Sequence, residues 1–473
     1  MTTFSIHNFG CRATEADAAS LRQALLSNGL RLTDDQSAAD VVVLNTCTVT
    51  GSADAQAREA VRKIHRTNPS ARIVVSGCYA QRAPEEVAVL PGVALVVGNS
   101  HIAEIPDIVS GPTFASSSTP NFVAASEIVD PPSLARAPAK ILTSDIFASG
   151  ISLPVSGFPD DDRTRPILKI QDGCNHRCSY CVIPFVRGRS RSVPPNAVVE
   201  QVRNFVDGGA KEIVLSGINL GSYGRDLSPR TGLQPLVRRI LAETEIERLR
   251  FSSIEPQDVT QDFIDMVALS DRIAPHFHVP LQAGSDRILR AMHRWYRAAH
   301  YAERIRYIRQ ALPHAAIGAD VIAGFPGETE DDFARTADLV ERLPFTYLHA
   351  FSFSQRPGTE AARLGGAVSE FIVRTRARRL RAIGALKTAA FRKLQRSAWQ
   401  KALTLHRSGD DWTECLTSNY LRVRIGGRVP ANRWCWVRVT GQAEEISSEC
   451  RLLDDPGCEP AGGAGSKCAT ELC

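Results

Sequence analysis

No stretch of the 473-residue chain approaches the roughly 18 consecutive apolar residues that a membrane-spanning helix needs. The first residues, MTTFSIHNFGC, lack a basic segment followed by an apolar core, so no secretory signal is expected and the protein reads as cytoplasmic. The 12 cysteines are too sparse for a disulfide-stapled scaffold, and in a long chain without an export signal they point to metal or redox chemistry. Charged residues make up 23%, an ordinary share that excludes wholesale disorder. Acidic residues are missing from one place. Residues 374–396 carry nine basic side chains (Arg374, Arg376, Arg378, Arg379, Arg381, Lys387, Arg392, Lys393, Arg396) and no Asp or Glu, which predicts contact with a polyanion.

The pattern that is present is an α/β one. FSIHNF, ADVVVLN, ARIVVS and GVALVVG read as buried strands, with helices expected near 14–28 and 53–66, the alternation of a parallel sheet. The first three strands each run into a cysteine: Cys11, Cys47 and Cys78. Sites in open parallel sheets form beyond the carboxyl ends of strands, so these three cysteines are expected to converge. Residues 109–163 are rich in Ser, Pro and Ala and read as a linker with one short ordered piece. From 164 to 396 six further strands (PILKIQ, KEIVLSG, RLRFSSIE, HFHVPLQ, AIGADVIAG, TYLHAFSFS) alternate with helices near 195–207, 232–243, 260–270, 286–311 and 329–342, which predicts a partial (βα)6 barrel. A helix over 371–396 places Val373, Ala377, Leu380, Ile383, Leu386, Ala390 and Leu394 beneath the basic face. Residues 397–453 read as a small antiparallel β module, and 454–473 as a flexible tail of unassigned role containing Cys458, Cys468 and Cys473.

DGCNHRCSYC follows the first barrel strand and supplies Cys174, Cys178 and Cys181 as C-x3-C-x2-C. Cysteine thiolates on tight loops hold iron–sulfur clusters, and three of them leave one iron of a 4Fe–4S cube open. Structural zinc, with His176 as fourth ligand, is the alternative. Ser216, Gly217 and Glu255 sit at strand ends, where they contact a cofactor or substrate or simply cap helices. GFPGET either shapes that pocket or is only a tight connection. Arg187, Arg189 and Arg191 are placed to meet an RNA backbone. Trp412, Tyr420, Trp434 and Trp436, interleaved with arginines, suggest base stacking, with Trp434 and Trp436 equally suited to a small core. Cys415, Cys435 and Cys450 read as core residues.

The cysteine cluster after a first barrel strand resembles the radical S-adenosylmethionine (SAM) enzymes. Adding the upstream triad and the C-terminal β module, the chain is similar to the methylthiotransferases, most of all the MtaB type. NTCTVT (45–50), GCYAQ (77–81), the stretch 171–192, LSGINLGSYG (215–224), SSIEP (252–256), GFPGET (324–329), FSQRPGT (353–359) and LTSNYLRV (416–423) carry the likeness. It departs at Thr14 and Ala283, where the family usually has Asn and Ser. The resemblance implies an auxiliary 4Fe–4S cluster on Cys11, Cys47 and Cys78 in an N-terminal domain (1–108). It implies a SAM-binding 4Fe–4S cluster on Cys174, Cys178 and Cys181 in the barrel (164–396), and a TRAM-like RNA-binding module (397–453). The implied reaction is methylthiolation at C2 of N6-threonylcarbamoyladenosine at position 37 of tRNA, with an electron donor such as flavodoxin or ferredoxin and an unspecified sulfur donor. Isopentenyladenosine in tRNA, a ribosomal-protein aspartate, or an RNA-binding protein with merely structural clusters are the competing readings.

Overall fold

The computed structural model describes residues 2–111, 114, 139–148, 164–396, 398–440 and, for their backbone, 447–452. The expectations for the tail, for the Cys450 side chain and for most of the 109–163 segment lie outside what is described.

The N-terminal sheet is parallel, with strand order β2-β1-β3-β4-β5-β6. Its members are β1 (Thr3–Phe9), β2 (Arg31–Leu32), β3 (Val41–Thr46), β4 (Arg72–Gly77), β5 (Val93–Gly98) and β6 (Lys140–Leu142). VVVLNT and RIVVSG are buried on both faces because helices cover both sides, which explains their unbroken apolar runs. β6 comes from the segment read as a linker. It pairs in parallel with β5, so part of that segment completes this sheet.

The barrel strands are β7 (Ile167–Asp172), β9 (Glu212–Gly217), β10 (Arg248–Phe251), β11 (His276–His278), β12 (Ala316–Ala323) and β13 (Tyr347–Ser352). The short β8 (Arg191–Ser192) is antiparallel to β7. Two sheets, β10-β9-β7-β8 and β11-β12-β13, are joined by a parallel bridge from Leu249 to Ile273 and by the Ile254 amide donating to the His278 carbonyl at 3.0 Å. Six parallel strands thus make the partial barrel expected. Ile317, Ala319, Val321 and Ala323 pack outward in the main core, so the alternate residues of β12, Gly318, Asp320 and Ile322, face the lumen.

Two expected helices come out differently. The segment 286–311 is split into Asp286–Ala291 and Ala298–Ala311, because His293 adopts a φ of 57° and ends the first helix. Apolar periodicity continues across the break and could not reveal it. The basic helix spans Glu370–Leu394; Val373, Ala377, Leu380 and Ile383 are buried as expected, but Leu386 and Leu394 are 72% and 74% exposed. In its second half Phe391 is buried instead, and Lys387 donates to the Leu343 carbonyl at 2.6 Å, so Leu386 and Leu394 lie off the packed face.

The C-terminal module is a closed barrel of five strands ordered β14-β15-β16-β18-β17: Trp399–Ser408, Trp412–Thr417, Arg422–Gly426, Trp434–Val439 (β17) and Ser447–Leu452 (β18). It is antiparallel apart from the β16–β18 pair. Cys415 and Cys435 are fully buried inside it, with sulfurs 3.9 Å apart. The turn after β15 docks beneath the larger barrel. Arg248 Nη1 donates to Ser418 Oγ (2.8 Å), Asn419 Nδ2 to the His314 carbonyl (2.9 Å), and Trp434 Nε1 to Glu247 (2.6 Å). Glu212 lies behind this junction with Arg165, Arg248 and Arg250 around it. A cavity of about 490 Å³, lined by residues including Arg12, Arg165, Glu414 and Tyr420, opens where all three units meet. Among the described residues no helix is long and apolar enough to cross a membrane.

Candidate active site: two cysteine triads at strand ends

Register brings the first triad together. Phe9, Thr46 and Gly77 are aligned across β1, β3 and β4, so Gly10, Cys47 and Cys78 follow at one level on neighbouring strands. Adjacent strands lie about 4.8 Å apart. The approach is close enough to require glycine at position 10, where a Cβ would fall 2.7 Å from that of Cys47. Cys47 is 6% exposed and Cys78 1%, while Cys11 is open. Thr14 takes part in holding this loop: its hydroxyl donates to the Cys11 carbonyl (2.8 Å) and its carbonyl accepts from Asn45 Nδ2 (2.7 Å). Cys78 Sγ accepts from Asn99 Nδ2 at 3.5 Å, and the same amide nitrogen donates to the Val186 carbonyl in the barrel unit (2.8 Å).

The second triad lies on the loop after β7. Gly173, at φ +70°, permits the turn, since a Cβ there would sit 2.0 Å from the Arg189 carbonyl oxygen. Cys174 Sγ accepts from the His176 amide (3.4 Å) and weakly from Asn219 Nδ2 (3.9 Å). Cys178 Sγ accepts from Arg294 Nη1 at 3.3 Å. Arg294 also forms an ion pair with Glu255. Sequence reasoning singled out Glu255 but missed Arg294, which reaches the loop only because the helix breaks at His293. A cation four residues before the expected helix resumes carried no signal of its own. Ser216 is 1% exposed at the end of β9, and Gly217 packs against Gln171, where a Cβ would meet Oε1 at 2.9 Å.

The donor set suits iron–sulfur cubes better than zinc. Tetrahedral zinc with 2.3 Å bonds holds its sulfurs about 3.8 Å apart. Among the described residues, the one set of three His, Cys, Asp or Glu ligand atoms that all lie within 4.8 Å of each other is His278, Asp320 and His349. Neither cysteine triad is that tight, and His176 does not join the second one to make it so. Burial pushes the Cys47 and Cys181 thiols up to about 12, and raises Cys78 and Cys174 as well. These four thiols therefore keep their protons at neutral pH, and cluster binding must displace them.

Several expectations about surface arginines are corrected. Arg187 does not face solvent; it is 2% exposed and donates to Asp17 (2.8 Å) and to both oxygens of Asp172 (3.1 Å each). Lys169 completes this buried quartet through Asp17 and Asp172. Arg376 leaves the basic face, being 5% exposed and paired with Glu328 (2.8 Å) and Glu330 (3.0 Å). Its partner Glu328 accepts from the Gly324 amide, and Thr329 and Asp332 form a capping box, so GFPGET is a firmly built strand-to-helix turn. Arg378, Arg381 and Lys393 remain exposed on the helix. Tyr420 is not a free stacking surface either. It lies on His276 with ring centroids 4.1 Å apart and accepts from Arg12 at 3.2 Å. Trp434 is 6% exposed and docks on Glu247, whereas Trp412 lies under Arg424 at 4.2 Å.

Comparison with known proteins agrees with this architecture. Residues 3–98 match the Uncharacterized protein family UPF0004, and residues 168–340 the Radical SAM superfamily. The chain is 36% identical to the threonylcarbamoyladenosine tRNA methylthiotransferase MtaB of Bacillus subtilis, over 81% of this chain and 80% of that protein. It is 37% identical to a tRNA-2-methylthio-N(6)-dimethylallyladenosine synthase of Mycobacterium bovis, over 80% of this chain and 72% of that one. Among solved structures, the radical SAM methyltransferase TsrM of Kitasatospora setae superposes with a TM-score of 0.52 at 16% identity, covering 76% of this chain and 77% of that one, a likeness of fold. Sequence, register and paired cysteine triads agree: the chain belongs to the radical SAM methylthiotransferase family.

Proposed function

We propose that this protein methylthiolates C2 of N6-threonylcarbamoyladenosine at position 37 of tRNA, acting in the cytoplasm. The observation that supports the reading is the presence of two cysteine triads, one at the ends of neighbouring strands and one on the loop after β7, in units joined by the buried Asp17–Arg187 contact. In this reading Cys174, Cys178 and Cys181 hold a SAM-binding 4Fe–4S cluster, and Cys11, Cys47 and Cys78 hold a second one. When bound, these groups would supply the one-electron chemistry that an aromatic C–H bond, which no side-chain base deprotonates, requires.

The protein's own contribution is placement. Arg294 donates to Cys178 while neutralising Glu255, and so fixes the loop edge that faces the lumen. Asn219 is oriented by Gln171, whose Oε1 accepts from the Asn219 backbone N–H at 2.8 Å, and turns its side chain to Cys174. Ser216, Gly217 and Glu255 line the SAM side. The two units are held in register at a second point as well: the Gly51 amide donates to Ser354 Oγ (2.9 Å), and Arg356 of FSQRPGT pairs with Asp54. Residues 1–108 form the auxiliary-cluster domain in this reading, 164–396 the radical SAM domain and 397–453 a TRAM-like module. The exposed cations of the helix Glu370–Leu394 and of the module take the RNA backbone. Electrons come from a small carrier such as flavodoxin or ferredoxin.

The substrate is tested by mass analysis of tRNA nucleosides from cells with and without the gene. Loss of 2-methylthio-N6-threonylcarbamoyladenosine on deletion supports the proposal; its persistence rejects it. The dimethylallyl-adenosine relative, at nearly the same identity, makes loss of the corresponding methylthio nucleoside the second reading to score. Detection of 5′-deoxyadenosine in an anaerobic assay with reduced protein separates an enzyme from an RNA-binding protein with structural clusters.

A further inference from the structure

The lumen wall opposite the cysteine loop is a row of rings and hydrogen-bonding groups that the chemistry described so far does not use. Tyr420 stacks on His276 (4.1 Å between centroids), His276 on Tyr347 (6.0 Å), and Tyr347 on His278 (5.7 Å). His278 is next to His349 (5.1 Å), and His349 meets Phe351 edge-on (6.4 Å). His276 and His278 are buried at 2% and 8%, whereas His349 and Phe351 at the other end of the row are exposed. At its centre Asp320 Oδ1 is shared by His278 Nε2 (3.0 Å) and His349 Nδ1 (3.1 Å). Tyr347 Oη fixes the far side of His278 (3.0 Å to Nδ1). Burial alone would raise the Asp320 carboxyl; hydrogen bonds from His278 and His349 more than offset this and hold it below the usual carboxylate range.

This wall bears on a question that overall identity leaves open. Relatives named for threonylcarbamoyladenosine and for dimethylallyladenosine are 36% and 37% identical to the chain. The two N6 substituents differ in kind. Dimethylallyl is a hydrocarbon, whereas threonylcarbamoyl carries urea N–H and C=O groups, a hydroxyl and a carboxylate. Asp320 and His349 each lie three residues before the end of their strands, about 10 Å below the rim where the cysteine loop sits. An apolar substituent placed there would strip water from a carboxylate and two imidazoles without replacing its hydrogen bonds, a penalty that polar sites use to reject apolar analogues.

We propose that His278, Asp320 and His349 form the subsite for the polar N6 substituent and select against an apolar one. The proposal rests on the tRNA reading above. Asp320 accepts from the urea N–H or the threonyl hydroxyl. Both nitrogens of His278 are taken, by Asp320 and by Tyr347, so His278 holds the Asp320 carboxylate in place. His349, whose Nδ1 faces Asp320, has its Nε2 edge left, and as an imidazolium it donates from there to the ligand's carboxylate. Phe351 at the rim is placed to stack on the adenine.

The test uses cluster-loaded enzyme and three anticodon stem-loop oligonucleotides that differ only at position 37: adenosine, N6-threonylcarbamoyladenosine and N6-dimethylallyladenosine. Binding is read by fluorescence anisotropy, with iron content and melting temperature matched to wild type. Wild type is expected to prefer the threonylcarbamoyl oligonucleotide over the dimethylallyl one. Asp320→Asn and His349→Phe are each expected to cut that preference by about tenfold, the worth of one or two hydrogen bonds. Should Asp320→Asn fail to fold, the half-exposed His349 carries the test. A wild type that prefers the dimethylallyl oligonucleotide would reject the substrate reading itself. A wild type with the expected preference that both variants keep would overturn the subsite alone. So would equal weakening toward all three oligonucleotides, or stoichiometric zinc bound by wild type and lost in Asp320→Asn with the preference intact.

Discussion

Asp17 of the N-terminal unit and Arg187 of the barrel unit meet at 2.8 Å, each only 2% exposed. The guanidinium also reaches Asp172, just before the second cysteine loop, and Cys78 lies close enough for the two to raise and lower each other's ionisation. A buried cation therefore stands beside the auxiliary triad and is tethered to the other one. A 4Fe–4S cube on thiolates is anionic, and a nearby positive charge favours its reduced form. Arg187→Met is expected to lower the reduction potential of the auxiliary cluster more than that of the SAM-side cluster. Potentiometric titration followed by electron paramagnetic resonance checks this; equal shifts in both, or none, would contradict it.

The triads are built on separate elements, one on the ends of β1, β3 and β4 and the other on a single loop. Two four-iron clusters amount to about eight irons per chain. Cys78→Ala and Cys174→Ala are each expected to lose about half of that while keeping the spectrum of the remaining cluster. Loss of all iron from either variant would mean that the triads depend on one another.

Glu212 sits with Arg165, Arg248 and Arg250 where the small barrel docks. Burial would raise its carboxyl, but Arg248, Arg250 and Arg165 outweigh burial and hold it far below its ordinary value of 4.5. A depressed carboxylate contributes stability in full above its unfolded value and loses it as pH falls toward the folded one. Glu212→Gln leaves the buried Arg248 and Arg250 and the partly buried Arg165 without their counter-charge and is expected to cost about 3–5 kcal/mol at neutral pH. The difference from wild type should shrink steadily below pH 4.5. Denaturant unfolding across pH measures both; a pH-independent difference would refute the assignment.

On the helix Glu370–Leu394 the cations divide into two kinds. Arg378, Arg381 and Lys393 are exposed, whereas Arg376 is buried against Glu328. Alanine at the exposed three is expected to weaken tRNA binding regardless of sequence and to reduce the salt slope by about one for each phosphate no longer neutralised. Arg376→Ala should instead lower the melting temperature. Filter-binding at several salt concentrations and thermal unfolding distinguish the two.

Much of the fold was legible because its signals are local. Strands buried on both faces must be apolar throughout, as VVVLNT and RIVVSG are, and a cysteine at the end of each of three such strands is visible from the chain alone. The C-x3-C-x2-C loop is likewise a short-range pattern. Arg187 and Arg294 were not legible. An arginine reads as a surface cation unless its acidic partner is known, and those partners, Asp17 and Glu255, lie far away in sequence. The kink at His293 was hidden because apolar residues keep their period through it. Tyr420 was read as a base-stacking residue because nothing local marks a ring that will be covered by another unit.

The sequence by itself determined the six cysteines, the parallel-strand alternation and the family, since each depends on residue type and short spacing. Only the tertiary structure decided which cations are spent inside the protein and which face outward, and which side chains share the lumen. Those outcomes depend on pairing between residues as distant as Arg12 and Tyr420, and on strand register that turns His278, Asp320 and His349 to the same wall. Burying a charge is tolerable only when its partner arrives with it, and that meeting is set by how the units dock.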